Sequence, residues 1–257
     1  MTDEELLELN SQGLIPGPKE SEEDFLSRVR RGMIREEKDW IPRAHLEWTA
    51  LHLKEVFDFS PVCLPIFYSN RSLAPWEGAA AWIENGRVSS IQLREGFKKG
   101  SYLWLYKRDE VIAHEAVHAA RCAFNEEKFE EFFAFLVSEK KWRRVLGPLL
   151  KRPWEIWPFF ICAFVGVFFG EAMLLWGAFL WASMGFWRLA RRHRQLRGAS
   201  EAVLEVVGGD RKTRAVLFRL TDEEILRFSK GKSVAEYAGR QECLRWRLIR
   251  LAYFPLL

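Results

Sequence analysis

His114-Glu115-Ala116-Val117-His118 holds the residue types and spacing from which a reactive centre can be built. On a helix, residues four apart share a face, so both imidazoles can point at one metal ion. Glu115, next to His114, can aim its carboxylate at a water on that metal. Two nitrogen ligands, an open position for water and a base are the minimal parts of a zinc hydrolase. The flanks suit a helix, with no Pro or Gly from Ser101 to Leu146 and Ala frequent around the two His. The neighbours Val111, Ile112, Ala113, Ala119 and Ala120 are apolar. They place the imidazoles near a core, where a buried His needs a partner.

Catalytic zinc usually takes three protein ligands. Arg121 and Phe124 stand at the offsets where one group of zinc proteases carries Gly and a third His, and no Cys pair is spaced for zinc. A carboxylate is therefore expected, from the cluster Glu126, Glu127, Glu130 and Glu131. Asn125 reads as a helix N-cap between two helical runs. If the chain reverses there, residues equally far from the turn sit at the same height. His118 lies seven positions before Asn125 and Glu131 six after it. Glu126 and Glu127 stay near the turn, where acidic residues favour a helix N-terminus. Glu130 and Glu131 fall among Phe129, Phe132, Phe133, Ala134 and Phe135, in a helix apolar almost all round. A cation would offset the cost of burying a carboxylate there. Glu131 is the expected third ligand and Glu130 the alternative.

His114-Glu115-x-x-His118 followed by Glu131-Phe132-Phe133-Ala134 resembles the gluzincin zinc metallopeptidases, over little more than residues 107 to 140. In that family the third ligand is a Glu on a downstream helix, often followed three residues later by a small residue. Membrane-bound members, the prenyl-protein proteases and their bacterial relatives, combine the site with hydrophobic hairpins. Many gluzincins have a longer interval between the second His and the Glu, so the short one here implies a compact helical hairpin. The resemblance implies Zn2+ as cofactor on His114, His118 and Glu131. It also implies Glu115 as general base for a zinc-activated water that attacks a peptide bond. The oxyanion donor stays open among Tyr102, Tyr106, Arg143 and His193.

Four segments must position these residues. Residues 1–58 form an N-terminal helical region, with a capping box at Thr2 and Glu5, a break from Gly13 to Pro18, a helix from Ser21 and an interruption near Pro42. His45 and His52 fall there and read as structural or exposed. Residues 59–150 form the zincin-like core. Val62 to Tyr68 reads as a strand, Asn85-Gly86 joins Ala80–Ile83 to Arg87–Leu93 as a hairpin, and Tyr102–Leu105 is a further strand or the lead into the motif helix. An edge strand here could hold a peptide by main-chain pairing.

Residues 153–190 contain the apolar run Trp157 to Trp187, whose single charged residue is Glu171. The run exceeds one span of about 20 residues but falls short of two. Both flanks are basic, which favours a hairpin entering and leaving on the cytoplasmic side, with a turn at Gly166–Gly170 and Glu171 near the tip. A single tilted span is the alternative. Residues 191–257 form a C-terminal helical region, with a cap at Thr221 and a last amphipathic helix from Ser233 to about Tyr253.

The expected fold is mainly α with a small β-sheet, an α+β zincin-like core plus a transmembrane or membrane-inserted helical hairpin. The 12 Trp and 20 Phe crowd the apolar run, which points to a membrane. A net charge of +4 with basic clusters flanking that run, and no nucleic-acid module, excludes a nucleic-acid partner. Four dispersed Cys fit free thiols in a reducing compartment. The acidic N-terminus has no apolar core and reads as lacking a secretory signal. The expected partners are a protein or peptide substrate and membrane lipid. The expected location is a membrane, the inner or plasma membrane in a bacterium, with the soluble parts in the cytoplasm. The competing readings are a non-catalytic membrane scaffold with a structural or vestigial zinc site, and a helical membrane protein in which the pattern is accidental.

Overall fold

The computed structural model describes residues 1–32, 40–61, 65–74, 77–84, 87–102, 106–150 and 153–254. The chain is mainly helical with a small sheet. Helix α1 (Asp3–Ser11) opens on the Thr2–Glu5 capping box, and α2 (Glu22–Gly32) follows the Gly13–Pro18 break. After Pro42 a 3-10 turn (Arg43–Leu46) leads into α3 (Glu47–Phe57). Strands β1 (Ile66–Tyr68), β2 (Ala79–Glu84) and β3 (Arg87–Leu93) form a sheet in the order β1-β3-β2. β1 runs parallel and β2 antiparallel to β3, so β2 is an edge strand. The Asn85-Gly86 turn, Val62, Cys63 and residues 103–105 lie outside the described residues. On either side of that last gap, β4 (Ser101–Tyr102) pairs antiparallel with β5 (Tyr106–Lys107), immediately before α4 (Arg108–Arg121).

Helices α5 (Glu130–Leu136) and α6 (Lys141–Leu146) follow, then α7 (Trp157–Phe169) and the 36-residue α8 (Ala172–Val207). The C-terminal region holds α9 (Asp210–Phe218), α10 (Asp222–Phe228), α11 (Val234–Gly239) and α12 (Leu244–Tyr253). The single helix expected from Ser233 to Tyr253 is therefore two. Ser233 caps α11, which closes at Gly239, and Arg250 Nη1 takes the freed Ala238 and Gln241 carbonyls at 2.5 and 2.6 Å.

One buried cluster joins Leu6, Phe25, Phe57, Val117, Phe133, Val203, Phe218 and Trp246, so the N-terminal helices, the motif helix and the C-terminal helices share a core. A smaller cluster of Ile66, Ile91, Leu93 and Ile112 fixes the sheet to α4. The buried charges of the main core are held in two ways: among the described residues Arg219 donates only to neutral acceptors, Asn10 Oδ1 and the Phe57 and Ala215 carbonyls, whereas Arg245 has a carboxylate partner. Arg245 meets Glu224 in a two-pronged ion pair at 2.8 and 2.9 Å, and Trp246 Nε1 donates to the same carboxylate at 2.7 Å.

α7 and α8 form an antiparallel hairpin. Gly170, at φ 71°, ends α7, and the exposed Glu171 stands at the N-cap position of α8 at the tip, without a side-chain cap bond. Gly166 packs on Leu175, where a Cβ would come within 2.9 Å of Cδ2. At the other end Trp181 Nε1 donates to the Glu155 carbonyl at 3.2 Å, and Arg188 pairs with the Glu155 carboxylate at 3.0 Å. The outer faces are apolar and open, with Val167 73%, Phe168 72% and Met173 84% exposed. Among the described residues no single helix is long and apolar enough to cross a membrane. Lys141–Leu149 and Trp154–Phe169 reach that measure only together, bent by 74°.

Candidate metal centre

The motif helix is held at both ends before it offers any chemistry. At its start Glu110 is buried. It pairs with Arg143 at 2.9 Å and accepts from Ser138 Oγ at 3.1 Å and the Glu139 N–H at 2.6 Å, which ties α4 to the segment after α5. At its end Arg121 is 1% exposed and donates Nε to Glu130 Oε2 at 2.7 Å. Arg121 Nη1 reaches the Phe218 and Leu220 carbonyls, and the guanidinium lies over Phe124 and Phe133.

Between these anchors α4 and α5 run antiparallel. Arg121 meets Glu130, His118 meets Glu130 and Glu131, and His114 packs edge-on to Phe135 at 4.7 Å. The turn differs from expectation in its cap. Asn125 bends the chain at φ 51°, but the N-cap of α5 is Phe129, which has no capping side chain. Asp222 of α10 instead fixes the two residues before the helix, its carboxylate accepting from the N–H groups of Lys128 at 2.8 Å and Phe129 at 3.2 Å. No local spacing marks a support supplied from another helix.

His114, His118 and Glu131 converge, their nearest ligand atoms within 4.8 Å of one another. The two Nε2 atoms are 3.3 Å apart, and the Glu131 carboxylate lies 3.6 Å from His118 Nε2 and 3.7 Å from His114 Nε2. Bonds of about 2.0–2.1 Å at tetrahedral angles place neighbouring ligand atoms about 3.3 Å apart, so this donor set fits zinc with little movement. Glu130 lies on the other side of the His118 ring, its Oε1 3.2 Å from Nδ1, as the orienting carboxylate of a metal-bound His would be. His114 has a backbone partner at Ala134, the small residue three positions after Glu131.

Charge at the site is unbalanced toward the negative. Burial lowers the pKa of His118, but the hydrogen bond to Glu130 and the charges of Glu115 and Glu131 outweigh it, lifting the ring to about 9. Burial and the neighbouring His118 hold His114 well below the ordinary imidazole range. Burial also raises Glu131 and Glu115. For Glu115, the Glu131 charge adds to this, while His118 and a hydrogen bond from the Ala81 backbone on edge strand β2 oppose it. The three carboxylates therefore favour a positive charge between them, held on the His118 ring as a proton, which a divalent cation can supply instead.

Glu115, His114, His118 and Glu131 all face one cavity of ≈ 1210 Å³. Ala79 of β2 and Tyr106 line one side, and Trp157, Phe160 and Phe164 of α7 line the other. A second cavity of ≈ 450 Å³ reaches His114 and Glu115 from the side of Tyr102 and Arg143. Of the four oxyanion candidates, Tyr106 lies in both cavities, Tyr102 and Arg143 only in the smaller. Arg143 stacks on Tyr106 at 4.5 Å. His193 lies elsewhere, donating Nε2 to the Val145 carbonyl at 2.9 Å and packing on Phe132. His45 is exposed, and His52 stacks on Trp48 and bonds the Val137 carbonyl at 2.7 Å.

The Asp222 contact gives the site a pH-dependent support. Burial and the adjoining Asp222 carboxyl raise Glu126 to about 7, and Glu126 accepts from the Asp222 N–H at 2.9 Å. A raised folded pKa means the stabilisation is complete below the unfolded value near 4.5 and is lost as pH rises through about 7. Glu126→Gln is expected to flatten the melting temperature across that window and to melt above the parent at pH 8. An unchanged pH profile in the variant would refute the raised Glu126 pKa.

No protein-family model matches the sequence, and neither curated proteins nor solved structures yield a significant match.

Proposed function

We propose that this protein is a membrane-anchored zinc metallopeptidase. The carrying observation is the convergence of His114, His118 and Glu131 at zinc-ligand spacing in a cavity that also holds Glu115. A zinc ion there would supply a Lewis acid that acidifies water and polarises a carbonyl. Glu115 takes the water's proton and delivers it to the leaving amine, a role favoured by a carboxyl whose pKa is raised toward neutrality. Glu130 holds the His118 ring through Nδ1. The free edge of β2 passes Ala79 along the cavity, where an extended peptide can pair with it. Tyr106, alone of the four oxyanion candidates in lining the same cavity, is the donor this reading assigns.

The membrane part of the reading is supported by the hairpin's exposed apolar faces, which exceed what a soluble surface normally carries. The 13 residues of α7 extend only about 20 Å against a hydrocarbon core of about 30 Å, which favours an element that enters and leaves on one side. Because Trp157, Phe160 and Phe164 wall the metal cavity, a substrate reaches it along the hairpin at the membrane surface.

The test is metal content with hydrolysis. The purified full-length chain is expected to carry one zinc, to cleave an unstructured protein substrate, to stop with a chelator and to resume with added zinc. His118→Ala is expected to lose the metal. Zinc without hydrolysis would leave a structural metal site on a scaffold, and no zinc at all would make the sequence pattern accidental.

A further inference from the structure

We propose that the base of the hairpin binds one anionic phospholipid, its phosphate on Arg191 and Arg192 and its chains against Trp154, Phe159, Trp181 and Phe186. These residues line a cavity of ≈ 780 Å³, separate from the metal centre, between the start of α7 and the middle of α8. Its apolar wall continues the exposed face of the hairpin, and its basic rim lies one to two turns further along α8. That is the order of tails and headgroup in a bilayer leaflet.

The rim has more positive charge than the protein neutralises. Arg188 is paired with Glu155 at 3.0 Å. Arg191 rests over the Trp187 ring at 5.5 Å, and Arg192 donates only to the Lys128 carbonyl at 2.8 Å. Among the described residues neither has a carboxylate partner. Burial and the adjacent Arg188 and Arg191 charges depress the pKa of Arg192 against the opposing Asp222 and Glu155 carboxylates, so those two carboxylates do not fully compensate it. A free phosphate would satisfy the arginines but not the aromatic wall. A neutral lipid would satisfy the wall but not the arginines. An anionic phospholipid satisfies both, and basic residues at a membrane surface select such lipids.

The site rests on the membrane part of the proposed function and is independent of its metal chemistry. The full-length protein in detergent, offered phosphatidylglycerol and phosphatidylcholine, is expected by native mass spectrometry to retain one phosphatidylglycerol. R191Q/R192Q is expected to weaken that retention about thirtyfold, at roughly one basic residue's worth of attraction each. Gly185 lines the cavity, and a Cβ there meets only Leu149 Cδ1 at 3.6 Å. Gly185→Leu fills the space without altering charge, and is expected to lose the lipid as well. R194Q/R197Q removes the same charge from exposed positions of α8 that do not line the cavity, and is expected to keep it.

Equal loss in R194Q/R197Q would overturn the site in favour of diffuse attraction. Equal retention of phosphatidylcholine, or displacement of the lipid by millimolar inorganic phosphate, would overturn it too. Flotation on neutral phosphatidylcholine vesicles is read separately. Failure to float refutes the membrane reading and the lipid site together, whereas flotation without lipid preference refutes the site alone.

Discussion

Glu115→Gln is expected to cut peptide hydrolysis by about 10²–10⁴-fold while leaving one zinc per chain, because it removes a proton acceptor and nothing else. Gln has the same length and still accepts from the Ala81 backbone, so β2 and the cavity wall keep their place. His114, His118 and Glu131 are untouched, and so is the Glu130 carboxylate that orients His118. Glu131→Gln makes the opposite change. It weakens the ligand set, so metal and activity are expected to fall together. Comparing the two by zinc analysis and initial rates separates base from ligand. A Glu115→Gln protein that hydrolyses peptide at the parent rate would eliminate the mechanism whatever its zinc content.

The convergence of the candidate ligands could be read from the sequence because it depends on local geometry. Residues four apart on one helix share a face, and residues equally far from a tight turn meet across it. Counting from Asn125 pairs His118 with Glu131, and the structure brings them together without Asn125 acting as the cap. The hairpin was legible in part: the turn expected over Gly166–Gly170 is confined to its last residue, because α7 runs through Gly166 to Phe169, and Glu171 lies at the tip as expected. Features set by contacts between distant segments were hidden. Asp222 holds the lead-in to α5 from more than ninety positions away. His193, in a basic run, stands among the oxyanion candidates until α8 is seen to hold it against Val145. The break in the last helix left a local trace, Gly239, which the amphipathic pattern on either side concealed.

Arg121 is the most consequential residue that spacing alone undervalues. At the C-terminal end of α4 it reads as a basic residue complementing the helix dipole. In the fold it is buried, bonded to Glu130 and to the carbonyls of Phe218 and Leu220, and stacked on Phe124 and Phe133. It therefore links the candidate metal centre to the shared core through His118, Glu130 and the loop between α9 and α10. Arg121→Met keeps the apolar packing but takes the guanidinium from the half-buried Glu130, leaving it His118 alone, and strips the Phe218 and Leu220 carbonyls of their donor, a loss of about 3–5 kcal/mol. R121M/E130L removes both charges and is expected to recover most of that stability in chemical denaturation, because two apolar groups replace a pair that was costly to desolvate. Metal affinity should not recover. With an aliphatic side chain in place of the Glu130 carboxylate, His118 Nδ1 has no acceptor to set its tautomer and angle, and the loss of such a support typically costs about 10–100-fold. Recovery of fold without recovery of zinc affinity would assign the Glu130–Arg121 pair to positioning the metal ligand. If zinc affinity returned with the fold, the pair would serve the core alone.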